Sequence, residues 1–466
     1  MTKYNQVTPE IAAQLQAIVG AKRFFAGDAV KDDFSHDEMP IYGKYYPEVV
    51  CEAESTEEVS AILRVCYDNN IPVTPRGAGT GLVGGCVPLC GGVVLCTTRM
   101  NKILSYDMNN LVVHIQPGVL LCDLAADALT HGLMYPPDPG EKTATVGGNV
   151  STNAGGMRAV KYGVTRDYVR GLEVVTADGR VITAGTKNVK DASGLSLKHL
   201  IVGSEGTLGV ITKCILRLVP KPEVSRSALV PFGDLQTGIS SVLKIIKANA
   251  NPTAIEFIER SVVELGESFT GQKFPCPEAK AYILLTFDGT SEQVDAGIER
   301  VKAVTKASGA IDFIELTDPA QAAAIWRVRG CLVKAVEAFS EQEPVDLVVP
   351  INRTAEFIEF VHKLETESGM QMIAFGHAGD GNVHLCVVRG KRSDEEWEHE
   401  LKANMTRLYN KAYELGGLTS GEHGIGLAKR PYFLANTNEN NLEVMRAIKD
   451  ALDAKHILND HISYLK

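Results

Sequence analysis

Apolar and polar positions along this chain switch several times between a helical and a strand rhythm. Residues 9 to about 20 place apolar side chains at helical spacing behind a Thr8-Pro9-Glu10 opening, where Thr8 suits an N-cap and Pro9 the first helical position. An acidic connector follows, with Asp28, Asp32, Asp33, Asp37 and Glu38. From Pro47 the pattern reads strand, helix, strand: Val49–Glu52, then residues 56–69 with Val59, Ile62, Leu63 and Cys66 on one face, then residues 71–74. Glycine dominates from Arg76 to Gly92 and again from Gly140 to Gly171, and residues 210–218 read as a strand. Beyond Pro220 and Pro222 the texture changes to longer helices (residues 235–249 and 292–308) and well-spaced strands (254–258 and 282–287). Two apolar runs, 372–375 and 383–388, flank a Gly-Asp-Gly turn and read as a hairpin. A helix from about Leu401 leads into GGLTSGEHGIG, and a last helix spans residues 442–454.

At 466 residues the chain exceeds what one hydrophobic core serves, so two domains are expected. Its 45% apolar and 22% charged content is that of an ordinary soluble globular protein. A net charge of -10 disfavours nucleic acid as a partner, because phosphate binding needs a basic footprint. The opening residues lack a basic region followed by an apolar core, so no secretory signal is read, and no segment reaches the roughly eighteen uninterrupted apolar residues of a membrane span. A cytoplasmic location is expected. Ten cysteines include no CxxC pair, Cys86 and Cys90 being four apart, and are read as reduced thiols serving as small apolar residues.

Candidate chemistry sits in two places. GHAGDGNVH at 376–384 and GEHG at 421–424 supply His377, His384 and Glu422, a two-histidine, one-carboxylate set suited to a divalent metal, with His423 beside them as a spare base. The bland alternative is polar loop histidines at a Gly-rich hairpin. The other place is a series of glycine loops. Gly79-Thr80-Gly81-Leu82-Val83-Gly84 matches GxGxxG after a strand, yet Gly85, Pro88, Gly91 and Gly92 follow and forbid the helix that a Rossmann loop must open into. Such a loop can still turn successive N–H groups toward an anion, with Arg76 at its entrance. Residues 143–156 and 203–209 form two more loops, and three in one domain argue for an extended diphosphate ligand.

PRGAGTGLVGG (75–85), PPDPGEKTATVGGNVSTNAGG (136–156), KYGVTRDYVRGLEVVTADG (161–179), VGSEGTLGVIT (202–212), GHAGDGNVH and GEHGIG together resemble the FAD-linked D-2-hydroxy-acid dehydrogenases, over roughly residues 45–460. The resemblance implies an α+β fold of the vanillyl-alcohol-oxidase type. Its parts would be residues 1–45 as N-terminal helix and connector, 46–220 as a two-subdomain FAD-binding domain, 221–410 as a cap with an antiparallel sheet, and 411–466 as a segment returning to the FAD domain. It implies that Arg76, Gly77, Ala78, Gly79, Thr80 and Gly81 bind the pyrophosphate. Thr145, Gly147, Gly148, Asn149, Ser151, Asn153 and Gly155 would line the flavin; Glu205, Gly206 and Ile211 would complete the pocket, and Asn459 is a further cofactor candidate. Some relatives attach flavin through a histidine where this chain has Thr80, so a non-covalent FAD is implied.

Carried over in the same way, His377, His384 and Glu422 are similar to the ligands of a divalent metal (zinc, iron or manganese), and His423 to the base. Arg329 is similar to the arginine that pairs with the substrate carboxylate, with Lys334 a weaker catalytic candidate. The chain departs from the 2-hydroxyglutarate enzymes at Cys386, where they carry asparagine, and at Pro344, in place of a cap lysine; the usual Asn-Pro-Gly is altered to Asn459-Asp460-His461. The implied activity is oxidation of a small D-2-hydroxy acid, D-lactate first, with electrons leaving to an electron-transferring flavoprotein or an iron-sulfur subunit. Glycolate or D-2-hydroxyglutarate oxidation, and a non-redox transferase of the alkylglycerone-phosphate synthase type, are the alternatives.

Overall fold

The computed structural model describes residues 4–39 and 43–460, so His461 lies outside the described residues. The chain divides into two compact units. The first takes the residues up to Ala154, then Val164–Lys221 and those from Glu422 onward; the second takes Gly155–Gly163 and Pro222–Gly421. Residues 411–421, grouped with the C-terminal segment in the sequence reading, thus stay in the second unit. A backbone ladder between Val348 and Leu418 and a hydrogen bond from Gly421 N to Asp346 hold them there.

Two sheets carry the first unit. One orders its strands Phe24–Ala26, Val49–Glu52, Val93–Cys96, Val73–Arg76, with the last three parallel. The helix Thr56–Asp68, capped by Ser55, lays Val59, Ile62, Leu63 and Cys66 into a core completed by Val49, Cys51, Val73, Leu95 and the C-terminal Ile457 and Leu458. The strand expected at 71–74 forms two residues later, at Val73–Arg76: Ile71 N closes on Cys66 O as the helix ends, and pairing to Val93–Cys96 begins at Val73. The other sheet is antiparallel, in the order Ile103–Asp107, Val112–Ile115, Val210–Arg217, Val169–Val175, Val181–Gly185. The C-terminal helix Glu439–Leu452 is tied in by Lys449, whose buried ammonium donates to Thr207 O, Leu458 O and Asp453 Oδ2. A neutral replacement there would leave Asp453 as an uncompensated buried charge.

The second unit is built on a seven-stranded antiparallel sheet in the order Ile314–Leu316, Val224–Phe232, Ala281–Gly289, Ala254–Glu259, Met372–His377, Asn382–Val388, Gln342–Val348. One face carries Leu229, Ile258, Tyr282, Leu284, Ile373, Phe375, Cys386 and Val388 against Val262, Val263, Val328 and Leu332 of three helices. The segment Gly155–Gly163 joins this unit through Lys161 and Tyr162, both of which donate to Asp288. The helix expected from about Leu401 starts earlier, at Asp394, because Ser393 and Glu396 form a reciprocal capping box. Among the described residues no helix is long and apolar enough to cross a membrane.

Candidate active site

The histidine motif folds as the hairpin Met372–His377 and Asn382–Val388, with His377 opposite Asn382 and His384 opposite Phe375. Directly opposed residues and those two positions along share a face, so His377 and His384 point the same way. Their rings stand edge to face with centroids 5.0 Å apart, and their ligand nitrogens lie within 4.8 Å of one another. The same face continues across the neighbouring strands: Glu256 stands opposite His377 on one side, and Asp346 opposite His384 on the other. A polar band thus crosses four adjacent strands at the end of an otherwise apolar face.

The two carboxylates of the band are held on both sides. Glu256, fully buried, accepts from His377 Nδ1 at 2.7 Å through Oε1 and from Arg329 Nε and Nη2 at 2.9 and 2.5 Å through Oε2. Burial by itself would raise the Glu256 carboxyl, but His377 and Arg329 hold it below the ordinary carboxylate range. The Arg329 guanidinium also lies 5.3 Å from the centroid of the Phe375 ring. The arginine assigned by resemblance to a substrate carboxylate therefore has an internal carboxylate as its partner. Lys334 is exposed on the helix Leu332–Phe339. Asp346, also fully buried, accepts from Asn382 Nδ2 and Ser420 Oγ at 2.7 Å each and from Gly421 N at 3.3 Å. It pins the chain immediately before Glu422.

Glu422 and His423, in the first unit, lie 3.9 Å apart at their nearest charged atoms, with side chains 13% and 18% exposed. Immediately after them Ile425 N and Gly426 N donate to the two oxygens of Glu205, each at 2.8 Å. Burial pushes the Glu205 carboxyl up, opposed by those two amides and by Lys429. Its carboxylate thus holds the chain directly after the GEHG motif.

The other cofactor candidates in the first unit divide into cradle and brace. Arg76 is a brace: buried, it donates to His36 O at 2.8 Å and Asp33 O at 2.6 Å, tying the acidic connector to the glycine loop. Gly77 is a cradle, because a Cβ there would come within 2.2 Å of Thr145 Oγ1. Ala78 and Gly81 are exposed, while Gly79 and Thr80 are half-buried. Residues 146–152, read from sequence as loop, form a short helix capped by Thr145, whose Oγ1 accepts from Gly148 N. It exists because Gly147 lets the chain sit against Pro117, which a Cβ would meet at 2.4 Å. Ser151 Oγ donates to Gly147 O, and Asn153, in the left-handed region, accepts from Arg166 N. Gly155 opens the segment that groups with the second unit. Gly206 approaches Pro75, Ile211 is a buried strand residue opposite Val174, and Asn459 Nδ2 donates to Gly85 O and Glu205 O at 2.8 Å each.

Sequence reasoning missed Glu256 and Asp346. The available signal was a carboxylate inside an apolar strand run, as in Ala254-Ile255-Glu256-Phe257-Ile258, since an unpaired charge there would be too costly to keep. The cysteines divide: Cys51, Cys66, Cys96, Cys214 and Cys386 are buried, and burial pushes the Cys51, Cys214 and Cys386 thiols up to about 12, so their thiolates are disfavoured, whereas Cys90 is exposed and Cys86, Cys122, Cys276 and Cys331 are half-buried.

FAD fits the first unit. Asn149 Nδ2 and Asn459 Oδ1 are buried without a hydrogen-bond partner among the described residues, as groups awaiting a polar ligand are, and the Gly77–Thr145 approach admits backbone-to-ligand contact. Comparison with known proteins agrees. Residues 47–185 match the family model described as FAD binding domain, and residues 221–461 match FAD linked oxidases, C-terminal domain. A D-lactate dehydrogenase of Anaerostipes hadrus is 47% identical over 464 residues, 98% of each chain. The glycolate oxidase subunit GlcD of Bacillus subtilis is 36% identical over 458 residues, 97% of this chain and 96% of the relative. A D-lactate dehydrogenase of Archaeoglobus fulgidus is 40% identical over 411 residues, 88% and 90%. Among solved structures, substrate-bound p-cresol methylhydroxylase superposes with a TM-score of 0.79 at 18% identity, covering 98% of this chain and 96% of that one. A 4-ethylphenol oxidase from Gulosibacter chungangensis gives 0.77 at 20%, covering 98% of both. These show the fold, which is α+β and of the vanillyl-alcohol-oxidase type. With relatives this similar from end to end and a family model spanning more than half its length, the chain belongs to the FAD-linked D-2-hydroxy-acid dehydrogenases.

Proposed function

We propose that this protein is a cytoplasmic, FAD- and metal-dependent dehydrogenase that oxidises D-lactate to the 2-oxo acid and passes the electrons to a partner such as an electron-transferring flavoprotein. The observation that carries the metal-dependent reading is the pair of imidazoles, His377 and His384, on one sheet face with ligand nitrogens within 4.8 Å. Two nitrogen donors at that separation suit a borderline divalent ion. Glu422 completes the proposed ligand set; it follows directly on the residue that Asp346 anchors. When bound, FAD supplies a hydride acceptor and the ion supplies the Lewis acidity that lowers the substrate hydroxyl pKa. In this reading His423 takes the hydroxyl proton and Arg329 orients the substrate carboxylate. Thr80 offers no nucleophilic ring nitrogen, so the FAD is held without a covalent bond.

D-lactate is favoured because the relatives from Anaerostipes hadrus and Archaeoglobus fulgidus carry that name. A second feature points the same way. Pro344 and Cys386, the two departures from the 2-hydroxyglutarate pattern, are direct partners on adjacent strands and lie one face position along from Asp346 and His384. Neither offers a charged group to a second carboxylate. Anaerobic D-lactate should bleach the bound flavin. His384→Ala should abolish turnover while FAD is retained, and EDTA should inactivate reversibly. Flavin left oxidised by D-lactate, or full turnover in rigorously metal-free protein, would refute the proposal.

A further inference from the structure

We infer that Glu256 is the positioning residue of this centre, one buried carboxylate that sets both the ring of His377 and the guanidinium of Arg329. The inference rests on the metal-binding reading above and adds to it a residue outside both sequence motifs. Oε1 takes the Nδ1 side of His377 at 2.7 Å, so the proton of the neutral ring sits on Nδ1 and the lone pair is committed to Nε2. Oε2 takes two nitrogens of Arg329. The carboxylate cannot drift, because Glu256 lies within a central strand, paired on one side to Leu284 and on the other to His377. It is fully buried, so no water competes for either oxygen. A carboxylate behind a ligating imidazole fixes its tautomer and raises its basicity, and losing such a group weakens metal binding about 10–100-fold. The second tie distinguishes this arrangement from a simple carboxylate–imidazole pair: Arg329 neutralises the carboxylate that orients the ligand, which places a proposed substrate-binding group and a proposed metal ligand on one support.

The test is Mn²⁺ titration of metal-stripped, FAD-loaded protein without substrate, comparing wild type, Glu256→Gln and Glu256→Asp. The amide of Glu256→Gln keeps the shape but removes the charge and presents a donor to either the His377 ring or the Arg329 guanidinium. Its Mn²⁺ Kd should rise about 10–100-fold with flavin content unchanged, because the flavin loops lie in the other unit. Glu256→Asp should recover part of the loss. A Glu256→Gln Kd within about twofold of wild type overturns the inference while leaving the metal reading intact. A wild type that binds no Mn²⁺ overturns both. If Glu256→Gln does not fold, histidine-labelled wild-type protein decides by nitrogen NMR: the resonance missing in His377→Gln must report an Nδ1–H tautomer, and an Nε2–H tautomer rejects the assignment.

Discussion

Glu205→Ala isolates the clamp on the GEHG loop. Glu205 is 8% exposed and accepts the amides of Ile425 and Gly426 at 2.8 Å each, so truncation leaves the buried Gly426 N–H and the half-buried Ile425 N–H without acceptors. Each orphaned donor costs about 1–3 kcal/mol, a gross loss of about 2–6 kcal/mol. Part is recovered, because burial already disfavours the Glu205 carboxylate. A net of about 3 kcal/mol remains, which lowers the melting temperature of a unit this size by about 6–12 °C. Differential scanning calorimetry measures the shift, and the D-lactate-dependent rate should fall with it, since Glu422 and His423 lie in the released loop. Glu205→Gln keeps one acceptor and should fall between the two. The pH dependence has a defined sign. With its folded pKa raised, Glu205 contributes most below the unfolded carboxylate value of about 4.3 and progressively less as pH rises through the higher folded value. The advantage of wild type over Glu205→Gln should therefore be larger near pH 4 than at pH 8. A melting shift under about 2 °C with normal turnover would show that water or another group serves those amides.

Gly147→Ala should lose flavin and about 1–3 kcal/mol of stability, because the new Cβ meets Pro117 at 2.4 Å and its carbonyl oxygen at 2.9 Å, where backbone must move; normal flavin absorbance per protein would contradict this. Glu267 in the second unit, nearly buried, accepts from Arg260, Lys273 and Phe274 N, and Glu267→Ala should cost about 3–5 kcal/mol by urea unfolding at pH 7. Burial would raise its carboxyl, but Phe274 N, Arg260 and Lys273 bring it below the ordinary range. Its contribution is thus present above about pH 4.3 and lost as pH falls through the lower folded value, so the gap between wild type and variant should close on acidification and a constant gap would refute it.

The chain's own pattern was enough for the helix Thr56–Asp68, whose Ser55 cap and four-residue apolar face are local signals, and for the hairpin carrying His377 and His384, whose turn is written in Gly379, Asp380 and Gly381. The family was legible too, because its motifs are long and contiguous. What periodicity does not carry is which strand lies beside which. Glu256 and His377 are 121 positions apart, and only the order of the seven-stranded sheet makes them neighbours. The same holds for Asp346 and Ser420, 74 apart, and for Glu205 and Ile425, 220 apart. Arg329 shows the consequence: its partner Glu256 lies 73 positions away, and no local pattern announces that the two meet in a buried pair. Local sequence determines the period and the ends of each element through backbone geometry and capping. The pairing of distant carboxylates with cations and imidazoles was decided by the tertiary structure, because a buried charge is tolerated only where the fold brings its partner within hydrogen-bonding distance.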